Sequence, residues 1–145
     1  MSSDAAFARD RLEITNLIHS YAHHADAGDL DAFLDLFAED AAVDIGIPGV
    51  RDKASLSRAM RARPPAADMK SRHVMTNLMF REQNADSATG SLYFTLMSSA
   101  AGKVAPAATG QYTFTVGRAD GRWRIRRWRA EVDGAGPGAT GEAAQ

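Results

Sequence analysis

Three observations predict an α+β fold. Apolar residues recur at spacings of three and four through the first sixty positions, and four β-like runs separated by turn residues fill roughly 72 to 132. The third is size: 145 residues, 45% apolar and 24% charged, suit one globular core. Helices followed by a meander of strands define the class.

Ser3 or Asp4 can cap a first helix whose apolar face carries Ile14, Leu17, Ile18, Tyr21 and Ala25. Gly28 should stop it. Asp29 can then cap a shorter helix bearing Leu30, Phe33, Leu34 and Phe37, and so brief a connection makes the two helices neighbours. A short strand over Ala42 to Gly46 ends at Pro48-Gly49. Asp52 can cap a third helix with Leu56, Ala59 and Met60, ended by Pro64-Pro65. The four β-like runs cover about 72 to 83, 88 to 100, 107 to 117 and 122 to 132. Turns are expected at Asn84-Ala85-Asp86, Gly102-Lys103 and Ala119-Asp120-Gly121. Residues 1–133 form the single expected domain, and 134–145, with nothing large to pack, read as a flexible tail.

Composition narrows the function. Seventeen basic and eighteen acidic residues leave a formal charge of −1, so no global field draws nucleic acid or an anionic membrane, and small-molecule partners are favoured. With no cysteine there is no disulfide framework, thiolate nucleophile or sulfur ligand. The N-terminus lacks a basic and apolar leader pattern, and no apolar run approaches the ~20 residues of a membrane span. A cytoplasmic enzyme or binding protein is the expectation.

The residue pair that looks most like chemistry is Asp26, at the end of the first helix, and His73, in Arg72-His73-Val74-Met75-Thr76-Asn77. A carboxylate at a helix C-terminus opposes the helix dipole by about 0.3–1 kcal/mol, so another partner should hold it there. Beside an imidazole it would orient the ring and stabilise its charged form, which makes a general base near neutral pH. Strand alternation places Met75, Asn77 and Met79 on the His73 face; Asn77 is then a candidate for holding a substrate oxygen, and the methionines for an adaptable apolar wall. The opposite face, Val74 to Phe80, is also largely apolar, as expected for a strand covered on both sides.

Tyr21 belongs to the core stripe, and only its hydroxyl is available for binding or catalysis. His23 and His24 point about 100° apart on a helix and cannot share an ion well, so no metal is expected. Residues 122–129 hold five arginines and two tryptophans. Arg122, Arg124 and Arg126 alternate with Trp123 and Ile125 as a half-solvated strand does, whereas Arg127 and Arg129 fall on the Trp123 face and are candidates for reaching a cavity or a subunit interface.

Four blocks carry a family resemblance: Ile14-x-x-Leu-Ile-x-x-Tyr21 through Asp26-Ala-Gly-Asp29, Leu36-Phe37-Ala38-Glu39-Asp40-Ala41, Arg72-His73-Val74-x-Thr76-Asn77, and Asp120-Gly121-Arg122-Trp123-Arg124-Ile125. They resemble the SnoaL-like branch of the nuclear transport factor 2-like superfamily. The resemblance implies a cone-shaped α+β barrel, its curved mixed or antiparallel sheet wrapped around N-terminal helices, and a homodimer or homotrimer. Tyr21, Asp26 and His73 look like the acid/base set of the scytalone dehydratase-like and bile-acid 7α-dehydratase-like enzymes, which work without a cofactor. The implied activity is a dehydratase-type lyase or isomerase acting in an apolar cavity on a small hydrophobic carbonyl or cyclic metabolite. The alternatives are a polyketide or terpenoid cyclase, and a dimer that binds a small molecule without catalysis.

Overall fold

The computed structural model describes residues 3–63 and 67–139. Three helices, α1 (Ser3–Ala27), α2 (Leu30–Asp35) and α3 (Lys53–Ala62), pack against five strands. These are β1 (Phe37–Asp44), β2 (Met69–Gln83), β3 (Ser87–Ala100), β4 (Lys103–Ala119) and β5 (Arg122–Ala135). The sheet order is β1-β5-β4-β3-β2, antiparallel except for the parallel β1–β5 pair. This mixed, curved sheet around N-terminal helices is the expected α+β architecture.

Helix α1 buries Ile14, Ile18, Tyr21 and Ala22 on one stripe. It stops at Gly28, whose φ of +71° a residue without Cβ adopts at no steric cost. Ser3 and Asp4 lie inside its first turn rather than ahead of it. Asp29 caps α2 by accepting from the Ala32 N–H. Helix α2 ends before Phe37, which was expected on it: Phe37 instead opens β1 opposite Ile125, because Leu36 and Phe37 find core on the sheet side. The expected strand at 42–46 therefore begins five residues earlier. Pro64-Pro65 lies outside the described residues.

Asp52 and Ser55 form a reciprocal capping box on α3. Those hydrogen bonds to Ser55 hold the Asp52 carboxyl below its ordinary value of 3.8. A carboxylate with a lowered folded pKa stabilises the fold above its unfolded value, and that contribution disappears as the pH falls through the folded value. Asp52→Ala should therefore lower the melting midpoint at pH 7, by a modest amount because the group is open to solvent, and the gap from the parent should close well below pH 3.8. Melts at both pH values that show a constant gap would contradict the charge-dependent cap.

The interior is aromatic. Trp128, Phe37, Ile14, Ile18, Leu56, Leu92, Ile125 and Val116 are fully buried, and Tyr21, Phe33, Phe94, Tyr112 and Phe114 fill the space between them. At the opposite end of α1, Asp10 is buried against the Arg118 guanidinium, which also stacks on Trp123.

Two bulges reset strand alternation. In β2 the register shifts between Thr76 and Met79, and Asn77 sits at φ +56°. Inward positions become Leu78 and Phe80, while Met79 is 65% exposed. In β5 the register shifts beside Arg126, so that Trp123, Ile125 and Trp128 all face inward and Arg126, Arg127 and Arg129 face out.

The segment expected to be a tail from residue 134 is part of the sheet for its first residues. Gly134 and Ala135 complete β5, and the N–H groups of Gly136 and Gly138 donate to the carbonyls of Ala107 and Pro106 at 2.8 Å. A Cβ on Gly136 would meet the Pro106 oxygen at 2.4 Å, so glycine is what permits this approach. Residues 140–145 lie outside the described residues.

Candidate active site

Asp26 and His73 meet. The Asp26 Oδ1 lies 2.6 Å from the His73 ring Nδ1, and its Oδ2 accepts the His73 backbone N–H at 2.9 Å. β2 is an edge strand, so the amide of His73 has no neighbouring strand to donate to; the last turn of α1 supplies the acceptor instead. One carboxylate thus docks the helix on the sheet edge and fixes the imidazole. With Nδ1–H directed to the acid, Nε2 is the nitrogen left to exchange a proton. Both side chains are largely buried, at 9% and 18% exposure.

The pair lies in the wall of a hollow of about 290 Å³ lined by Ala22, His23, Asp26, Ala27, Arg72 and His73. This lining is polar, with Arg72 and Asp26 as its two formally charged groups, unlike the apolar cavity expected. The physical reason is the crowding of the interior by aromatic rings, which leaves the free space beside the acid on the outside of α1. A larger hollow of about 540 Å³ is separate, bounded by His24, Ala25, Gly28, Leu30, Phe33, Met60, Arg61 and Arg63. It is more apolar, and neither Asp26 nor His73 is among its walls.

Tyr21 packs edge-on against the imidazole, with centroids 5.9 Å apart at 90°, and stacks on Trp128 at 4.5 Å. Its hydroxyl is engaged in the interior by Tyr112, and the indole N–H of Trp128 faces it without completing a hydrogen bond. Burial raises the Tyr21 phenol to about 12, against the opposing pull of the neighbouring Tyr112 and Trp128. Burial raises Tyr112 further still, with the neighbouring Tyr21 adding to the effect. Both phenols stay protonated at any physiological pH. Tyr21 is absent from the lining of the hollow, so contact of its hydroxyl with a molecule there, as expected from sequence, is not what the geometry provides.

The remaining candidates separate. Met75 is half-buried on the His73 side, packed on the core. Asn77 and Met79 are exposed on the outer face because of the β2 bulge, and cannot share a site with His73. Arg127 and Arg129 line a different hollow, between β1 and β5. Sequence reasoning missed Tyr112 and Trp128, the residues that clamp Tyr21. Their signal was present in the strand alternation Tyr112, Phe114, Val116 and in the apolar position of Trp128 among arginines.

A helix-ended acid gripping the imidazole of an edge strand, on a curved five-stranded sheet, is the central feature of this small α+β domain. The chain belongs to the SnoaL-like family, whose domain matches residues 6–129. Its fold is the nuclear transport factor 2-like, cystatin-like one. A protein of unknown function from Mycobacterium tuberculosis, solved as an Asp-to-Asn variant, is 25% identical at a TM-score of 0.78, over 92% of this chain and 77% of that one. A proposed aromatic ring hydroxylase from Novosphingobium aromaticivorans is 28% identical at 0.75, over 94% and 97%. A proposed scytalone dehydratase from the same organism is similar in fold, at 16% identity and a TM-score of 0.75, over 91% and 89%. No curated protein matches the sequence. Among the described residues no helix is long and apolar enough to cross a membrane.

Proposed function

We propose that the protein is a cofactor-independent lyase or isomerase in which His73, oriented by Asp26, removes a proton from carbon beside an activating group of a small carbonyl-containing or cyclic molecule. The observation that carries this reading is the two-point grip of Asp26 on His73 at the wall of an open hollow. Nε2 accepts the proton, the imidazolium is stabilised by the adjacent carboxylate, and the proton is returned either to a departing hydroxyl, which leaves as water, or to another carbon. Tyr21 serves as a positioning residue that fixes the ring plane. Arg72 and His23 flank the same hollow and suit a substrate oxygen that gains negative charge as the proton leaves.

The test is proton exchange rather than a guessed product. Candidate cyclic ketones and hydroxy-carbonyl compounds incubated with the protein in D2O should incorporate deuterium at the activated carbon, as read by NMR. His73→Ala should slow the incorporation by about 10²–10⁴-fold. Equal incorporation by parent and variant would remove His73 from the chemistry, and binding of a compound with no exchange in the parent would favour simple ligand capture.

A further inference from the structure

The arginines of β5 divide into two groups. Arg122 and Arg124 pair with Asp35, and Arg126 reaches Asp40 and the Arg118 carbonyl. Arg127 has no carboxylate in ion-pair range among the described residues, and Arg129 has only Glu131, at 3.8 Å. These two less engaged guanidinium groups, with Arg51, surround a hollow of about 400 Å³ on the outer face of the β1–β5 pair, with Ala42, Val43, Asp44, Val50 and Trp128 as its other walls.

The hollow is built by backbone geometry. Arg127 and Arg129 stand on one face of β5, about 7 Å apart along the strand, in register with Ala42 and Asp44 of β1. The small side chain of Ala42 leaves the depression between them. On the far side of β1, Arg51 is held at two points: its carbonyl accepts the Val43 N–H at 3.0 Å, and its N–H donates to the Ser55 hydroxyl of the α3 cap at 2.9 Å. The only carboxylate in the lining, Asp44, accepts the Gly46 N–H. Three cations against one anion leave the hollow at +2, in a chain whose total is −1.

We propose that Arg51, Arg127 and Arg129 form a binding site for the phosphoryl group of a small phosphorylated molecule, separate from the Asp26–His73 pair. Guanidinium forks match phosphate oxygens two at a time, and a dianionic monoester balances the local charge, which a carboxylate does not. The hollow is larger than a phosphate ion, and Ala42 and Val50 offer the attached group an apolar surface.

The full chain is titrated with inorganic phosphate and with phenyl phosphate in about 150 mM NaCl, followed by calorimetry and by the arginine Nε–H resonances. Both should bind saturably, phenyl phosphate more tightly, with the resonances of residues 51, 127 and 129 moving and that of Arg122 still. Arg127→Ala and Arg129→Ala should each weaken binding about tenfold, and Ala42→Leu should lose phenyl phosphate with an unchanged melting point. Benzoate should bind at least tenfold more weakly. Absence of saturation by about 20 mM, or equal loss in Arg122→Ala, overturns the site. So does retention by phosphatidate vesicles without binding of either soluble phosphate, which would assign the patch to a lipid surface.

Discussion

His73→Ala is expected to leave a folded protein whose proton-transfer activity has fallen by about 10²–10⁴-fold, the usual contribution of a positioned acid/base group. The fold survives for a specific reason. Half of the Asp26 grip is made to the backbone N–H of His73, which alanine retains, so α1 stays pinned to the edge of β2. The carboxylate loses its contact with Nδ1, but it borders an open hollow where water can replace it. Asp26→Ala removes both contacts, leaves an edge amide without its acceptor, and should cost about 1–3 kcal/mol of stability as well as activity. The two variants are thus distinguishable: one inactive at nearly the parent melting temperature, the other inactive and less stable. If His73→Ala instead melted as far below the parent as Asp26→Ala does, the imidazole would be structural and its role as base would fall. Deuterium incorporation and thermal melts on the same three proteins decide it.

The elements whose boundaries are marked by local hydrogen-bond chemistry were legible from sequence. Gly28 ends α1, Asp29 and Asp52 cap the next two helices, and turns fall where glycine, asparagine and aspartate cluster. Asp26 and His73 were legible as a pair because each is poorly explained alone: a carboxylate opposes the dipole at a helix end, and an imidazole begins an otherwise apolar strand. What escaped was strand parity. A bulge adds one residue and reverses every side chain beyond it, and nothing in Thr76-Asn77-Leu78 or Ile125-Arg126-Arg127 announces one. That single effect moved Asn77, Met79, Arg127 and Arg129 to the outer face. The polarity of the site escaped for a different reason. Aromatic residues from α1, α2 and four strands fill the interior together, and their joint packing is a property of the tertiary structure.

Trp128→Ala should produce the largest loss of stability in the chain, about 3–5 kcal/mol, in a domain whose total stability is expected near 5–15 kcal/mol. Trp128 is fully buried and stacks on Tyr21, at 4.5 Å, with Tyr112 at 4.7 Å and Phe114 at 6.5 Å as further neighbours. Removing the indole opens a cavity at the meeting point of α1, β4 and β5, which these rings cannot close without leaving their own contacts. The melting temperature should fall by roughly 10–20 °C. Trp128→Phe separates ring from N–H. The indole nitrogen is buried without a hydrogen-bond partner, so phenylalanine removes an unsatisfied donor while keeping part of the stack, and the two effects offset. Its loss should be well under half that of alanine. The same pair of variants reaches the site, because Tyr21 is held between Trp128 and the imidazole: alanine at 128 frees the Tyr21 ring and with it the orientation of His73, whereas phenylalanine preserves both. Activity should therefore follow the stack and not the indole nitrogen, and a Trp128→Phe protein as impaired in proton exchange as Trp128→Ala would show that the aromatic clamp is not what orients the base.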